Sequence, residues 1–190
     1  MSFNPASQTF VLNQKLMSIG GDLWIDDAEG NHAFEVDGKA LALRRTLLLL
    51  DPAGSRLYEI NQSLAHLHHT FEIKSGEAVV ATIQKALLNV LGDHFTVNLA
   101  NGDQLSVTGD WISREFHVTR SGSDVIFASR RLLAIRDCYG VQIAPGFETP
   151  LALAIVIALE QMELQDHHRL PDHDRQRPQR SSRAPLAARA

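Results

Sequence analysis

Thr149-Pro150-Leu151-Ala152-Leu153-Ala154-Ile155-Val156-Ile157-Ala158-Leu159-Glu160-Gln161-Met162-Glu163 is unlike anything before it in the chain. It opens with a residue suited to an N-cap and a proline suited to the first helical position. It continues in Ala, Leu and Ile with no polar face in its first turns. A helix that is apolar all round must be enclosed by protein or by lipid. The unbroken apolar run, Leu151–Leu159, has nine residues, against the roughly 18 to 20 a bilayer span needs. No transmembrane segment is therefore expected. The alternative is a buried central strand, which Ile155-Val156-Ile157 would tolerate.

Upstream, turn chemistry recurs at short intervals. Asp37-Gly38 separates Ala33–Val36 from Ala40–Leu43, and Asn101-Gly102 separates Phe95–Leu99 from Gln104–Val107; both suit two-residue type I′ hairpins. Phe95, Val97 and Leu99 alternate with polar residues, as do Leu105 and Val107, the period of a half-buried strand. Asp51-Pro52-Ala53-Gly54 places proline where a type I turn takes it. Further breaks fall at Asp26–Asn31, Ser75-Gly76, Ser121-Gly122-Ser123 and Ala144-Pro145-Gly146. About twelve strands result on this reading. Many antiparallel strands leave exposed edges unless the sheet closes. A closed sheet of that size has a lumen wider than its own side chains fill. The expected fold is mainly β: a closed antiparallel twelve-stranded barrel around one buried hydrophobic C-terminal helix.

Composition bounds the rest. The chain has 190 residues, 44% hydrophobic and 21% charged, as ordinary globular proteins do. Its one cysteine, Cys138, can form no intramolecular disulfide, which suits a reducing, cytoplasmic compartment. The first residues lack a basic region followed by an apolar one, so no signal peptide is expected. Charge divides the chain. From residue 166 on, six Arg and three Asp give +3, while 12 basic and 19 acidic residues give −7 over 1–165. The tail has three prolines and no aromatic residue, too little apolar surface to offset its ordering entropy. We therefore expect a barrel domain over 1–165 and a disordered Arg/Pro-rich tail over 166–190. An acidic domain argues against nucleic acid as partner.

Basic residues recur inside apolar strands: Gln14-Lys15-Leu16, Leu43-Arg44-Arg45-Thr46-Leu47, Ile83-Gln84-Lys85-Ala86-Leu87 and Ser129-Arg130-Arg131-Leu132-Leu133. Gln14-Lys15 to Gly21-Asp22 parallels Gln84-Lys85 to Gly92-Asp93. Neighbouring strand residues face opposite ways, so one basic residue of a pair can lie along the barrel wall with its head at the rim. Lys15, Arg44, Arg45, Lys85, Arg130 and Arg131 are thus candidates for an anion-binding role. The competing reading is that they are gatekeeper charges against aggregation.

Together these features resemble the LURP-one-related family, within the tubby-like group that includes phospholipid scramblases. The resemblance runs over residues 9–164. It is carried by Gln14–Asp22, by Val36-Asp37-Gly38-Lys39 leading to Leu43-Arg44-Arg45, by Gly109-Asp110-Trp111, by Arg136-Asp137-Cys138-Tyr139-Gly140-Val141 and by the terminal helix. It implies the twelve-stranded barrel around a hydrophobic helix. For function it implies a non-enzymatic binding or regulatory module at anionic, phosphoinositide-like phospholipid surfaces, peripheral to the membrane; plant relatives are linked with pathogen defence. Two departures stand out: Gln62-Ser63 lacks the basic partner of the other repeats, and the Arg-rich tail lies outside the family pattern.

Other chemistry finds less support. A Cys138 nucleophile would need a histidine base, His117 or His94. His66 and His68 share one strand face, a start for a metal site that nothing nearby completes. Asp26–Asn31 fails as an EF-hand, since Ile25 takes the place of the first carboxylate. No Walker A, GxGxxG or GxSxG pattern occurs. No catalytic residue, metal or cofactor is expected. The expected partner is anionic phospholipid at a membrane surface, with a protein-interaction scaffold as the alternative and a cysteine-dependent enzyme after that. Against such a membrane a net +3 tail contributes on the order of 3 kcal/mol, unless it serves only as a solubilising extension.

Overall fold

The structure, a computed structural model, describes residues 6–13, 23–37, 40–41, 44–63, 70–85, 95–110, 115–129 and 138–169. Its elements are β1 (Gln8–Asn13), β2 (Leu23–Asp27), β3 (His32–Asp37), β4 (Ala40–Leu41), β5 (Arg44–Leu50), β6 (Arg56–Gln62), β7 (Thr70–Ser75), β8 (Ala78–Lys85), β9 (Phe95–Leu99), β10 (Gln104–Asp110), β11 (Glu115–Arg120), β12 (Ser123–Ser129), β13 (Cys138–Ile143) and α1 (Thr149–Arg169). Twelve of the strands form an antiparallel meander, with β3 pairing directly to β5, and β13 returns to pair with β1. The barrel is therefore closed, and among the described residues β4 alone stands outside the ring, paired only to β5.

Alternation sets the wall. Ala81 and Ile83 of β8, Phe95 and Val97 of β9, Leu105 and Val107 of β10, and Phe116 and Val118 of β11 are all buried and in register across the ladder. These residues line the lumen, and α1 fills it. Every residue from Ala152 to Leu159 is 0% exposed. The helix lies against β6, β7, β8 and β13. The strand alternative for this segment is overturned, because a closed sheet leaves it no edge to join.

The helix also measures the barrel. Strands of up to eight residues tilted by about 40° give a wall roughly 20 Å high. From Thr149 to Met162, the last buried residue among those whose side chains are described, a helix rises about 20 Å as well. Thr149 lies at the end of the barrel that carries the tight turns, where its hydroxyl bonds the Gln8 side chain. We call this the turn end. α1 therefore runs from the turn end to the far end and continues past it to Arg169, four residues beyond the domain boundary expected at Gln165. The first intrahelical bond runs from the Ala152 amide to the Glu148 carbonyl. That moves the cap one residue upstream of Thr149, whose hydroxyl is engaged with Gln8.

Two hairpins differ from expectation. At Asn101-Gly102 the loop has three residues: the Leu99 amide donates to the Asp103 carbonyl, the Gly102 amide to the Leu99 carbonyl, and Gly102 has φ +91°. This is a type I turn followed by a left-handed residue. The apolar faces impose it. The observed register pairs Val97 with Leu105 and Phe95 with Val107, whereas a two-residue loop would set Val97 opposite the exposed Ser106. Asp51–Ser55 and Asp27–Asn31 use the same loop. The hairpin expected at Asp37-Gly38 does not form between the strands named. Glu35 is already paired with Trp24 on one side and Leu50 on the other. Ala40 and Leu41 pair instead with Arg45 and Arg44.

Candidate functional site

The far end of the barrel gathers the polar side chains that the lumen admits. Lys85 is the last residue of β8 and falls on the same side of the sheet as Ala81 and Ile83, so it faces inward. It pairs with Phe95, and its ammonium stands 5.7 Å from the centre of that ring, within cation–π range. The aliphatic stem thus lies on the wall and the charge sits at the rim, the posture expected for one basic residue of each repeat. Gln62 is its counterpart two strands away. It ends β6 on the lumen side with Tyr58 and Ile60, opposite Phe71, and carries no charge.

The other candidates are placed less fully. Arg44 and Arg45 open β5, opposite Leu41 and Ala40. Lys15, Arg130 and Arg131 lie outside the described residues. They follow β1 and β12 in the chain, and the last residues of both strands, Asn13 and Ser129, are paired to the beginning of β13. The first residues of β5 and the last of β1, β8 and β12 all belong to the far end, because neighbouring strands of a meander run in opposite directions.

Sequence reasoning missed the helix's own contribution. Glu160 and Gln161 are only 3% and 5% exposed, although both are polar and one is an acid. Both make polar interactions, as buried polar groups must. The wall height is the signal that could have found them: about 20 Å of lumen encloses thirteen residues of helix, not nine. Nearby, Ser129 donates to Glu115 (3.3 Å) across β11 and β12, and Thr46 donates to Asn61 (2.7 Å) across β5 and β6.

The turn end anchors the helix. Tyr58 donates a 2.5 Å hydrogen bond to Glu148. Burial, together with that carboxylate, pushes the Tyr58 phenol well above its ordinary value, since both disfavour the phenolate. In the β2–β3 turn, Asp27 is held below the usual carboxylate range by the Asn31 side chain and by the backbone amides of Asn31, Glu29 and Gly30. This segment is a hairpin loop, as read from its sequence.

The thiol–histidine pairing with His117 is not assembled. His117 opposes Phe127 in β12, which opposes Gln142 in β13, so His117 is level with Gln142, four residues from Cys138. That is about 13 Å along the strands and a further 9 to 10 Å across them. His117 instead pairs with Asp124 at 3.2 Å and packs on Phe127. His94, His66 and His68 lie outside the described residues.

Comparison with known proteins places this geometry. The model of the LURP-one-related family matches residues 8–160. The uncharacterized protein YxjI of Bacillus subtilis (strain 168) is 26% identical over 155 residues, which is 82% of this chain and 93% of that protein. A protein of Arabidopsis thaliana solved by X-ray crystallography superposes with a TM-score of 0.61 at 18% identity, over 88% of this chain and 94% of that one. At that identity the likeness concerns the fold.

Proposed function

The chain belongs to the LURP-one-related family, and on that premise we propose that it is a non-enzymatic binding or regulatory module working at anionic, phosphoinositide-like phospholipid surfaces. The observation that carries the reading is Lys85, a cation held on an aromatic ring at the rim of the far end. The strand ends that flank the remaining basic repeats belong to the same end. A phosphate head group meets such a rim through charge-assisted hydrogen bonds, and no reaction step is required of it. Lys15, Arg44, Arg45, Arg130 and Arg131 are assigned to the same role.

The rival readings find less to stand on. A protein-interaction scaffold calls for a contiguous exposed apolar patch. Among the described residues the exposed large hydrophobics are Trp24 and Val79, each 40% exposed. They sit on β2 and β8, at least four strands apart round the barrel. Liposome flotation tests the proposal. The full chain should float with vesicles containing phosphatidylserine or phosphatidylinositol bisphosphate and stay behind with pure phosphatidylcholine. Equal behaviour with both sets of vesicles removes the lipid reading.

A further inference from the structure

One side of the wall is acidic and carries an exposed tryptophan. β1, β2, β3 and β5 are neighbours in the ring. Residues 6–13, 23–37 and 46–51 on that side hold six carboxylates, Asp26, Asp27, Glu29, Glu35, Asp37 and Asp51, and no Lys or Arg. Beyond this face, Arg56 on β6 is bonded to Glu59 at 3.2 Å, and Arg44 and Arg45 lie opposite β4. Alternation with the buried Leu12, Ile25, Val36 and Leu49 turns Val11, Trp24, Glu35, Leu48 and Leu50 outward. Trp24 opposes Glu35, which opposes Leu50 on its other side. His32 stacks on Trp24, 4.8 Å between ring centres, and pairs with Asp26 at 2.6 Å, yet Trp24 remains 40% exposed. Among the described residues the Glu35 carboxylate has no ion-pair or hydrogen-bond partner.

An exposed indole beside an unpartnered carboxylate is a seat for a guanidinium, which stacks on the one and forks onto the other. The chain itself supplies such groups. Residues 170–190, outside the described residues, hold five Arg and two Asp, and after Asp174 every charge is an Arg. α1 delivers this segment at the far end, from Arg169. Its twenty-one residues reach about 70 Å when extended and about 25 Å as a coil, and either exceeds the wall height of roughly 20 Å. A segment so tethered meets the face at an effective concentration on the order of 1 mM. Surface pairs too weak to hold two separate molecules suffice on such a tether. From this complementarity of charge and reach we infer that the Arg175–Arg183 segment of the tail docks on the outer face of β2 and β3, with a guanidinium on Trp24 and Glu35. The contact joins the barrel to its own tail and is independent of the lipid reading.

The test uses the full chain carrying Cys138→Ala and Ser181→Cys with a nitroxide on the new thiol, its fold checked by circular dichroism. The indole N–H resonance of Trp24, assigned through Trp24→Phe, is observed at physiological salt. The nitroxide should cut that signal several-fold. It should recover in 1 M NaCl, where the screening length is about 3 Å, and in the chain with Arg175, Arg177, Arg180 and Arg183 all changed to Gln. Glu35→Gln, which leaves the indole in place, should restore part of it. A signal untouched by the nitroxide, or broadening that survives both salt and the Arg→Gln changes, overturns the docking. Isotope-enriched unlabelled chain mixed with unenriched nitroxide chain should show no broadening; equal broadening there would give the seat to a second copy's tail and overturn the intramolecular contact.

Discussion

Truncating Ile157 to alanine probes the plug directly. Ile157 is 0% exposed at mid-helix, inside the lumen. The change removes three carbon atoms, a loss of about 2.4 kcal/mol of transfer free energy at ~0.8 kcal/mol per methylene. A cavity term adds to this in proportion to how little the site can collapse. Here collapse is resisted, because a ring of twelve strands cannot narrow without breaking its ladder. The expected cost is therefore about 3 to 4 kcal/mol, within the range for buried aliphatic residues cut to alanine. At roughly 2–4 °C per kcal/mol for a domain of this size, the Tm should fall by about 6 to 16 °C. Urea and thermal unfolding followed by circular dichroism measure both quantities. Val79→Ala, on the exposed face of β8, is the control and should move stability by no more than about 0.5 kcal/mol. A cost below about 1 kcal/mol for Ile157→Ala would refute the enclosed helix, since that is what a half-wet position gives.

Two further changes test the wall and the helix anchor. Gly109→Ala should destabilise by roughly 1–3 kcal/mol in urea melts, since a Cβ there would fall on the Glu115 carbonyl and the Phe116 backbone; a neutral result would mean the β10–β11 ladder is looser than described. Tyr58 makes stability depend on alkaline pH. Its folded pKa lies above the unfolded value of 10.0, so the folded state holds a proton that the unfolded chain releases. Its contribution is complete below pH 10 and declines as pH rises beyond it. Tyr58→Phe should flatten that decline in melts taken between neutral pH and pH 11; an unaltered slope would show that the bond to Glu148 does not govern it.

How much of this could be read in advance depends on the range of the interactions involved. The helix was legible, because nine apolar residues in succession admit few surroundings and a chain of about twelve short strands supplies one. The inward face of Lys85 follows from two-residue alternation with Ala81 and Ile83. The Asn101-Gly102 loop was legible too, but in the apolar faces of Phe95–Leu99 and Gln104–Val107, which outweigh the preference of the dipeptide. Asp37-Gly38 was not. Which strand occupies the free edge of β3 is a competition with β5, and no local signal decides it. The burial of Glu160 and Gln161 follows from threading the helix through the barrel, but its extent depends on the height of a wall built from other parts of the chain.

The sequence by itself therefore determined that a β-rich chain must close on an apolar helix, where most of its turns fall, and that its tail and body carry opposite charge. Only the tertiary structure decided that the carboxylates of the tight turns, Asp27, Asp51, Glu77 and Asp103 among them, share one end of the barrel and that the helix leaves it at the other. Charges adjacent in the chain are carried to opposite ends by strands running up and down. Their sum along the sequence is fixed, but their separation in space exists only once the barrel has closed.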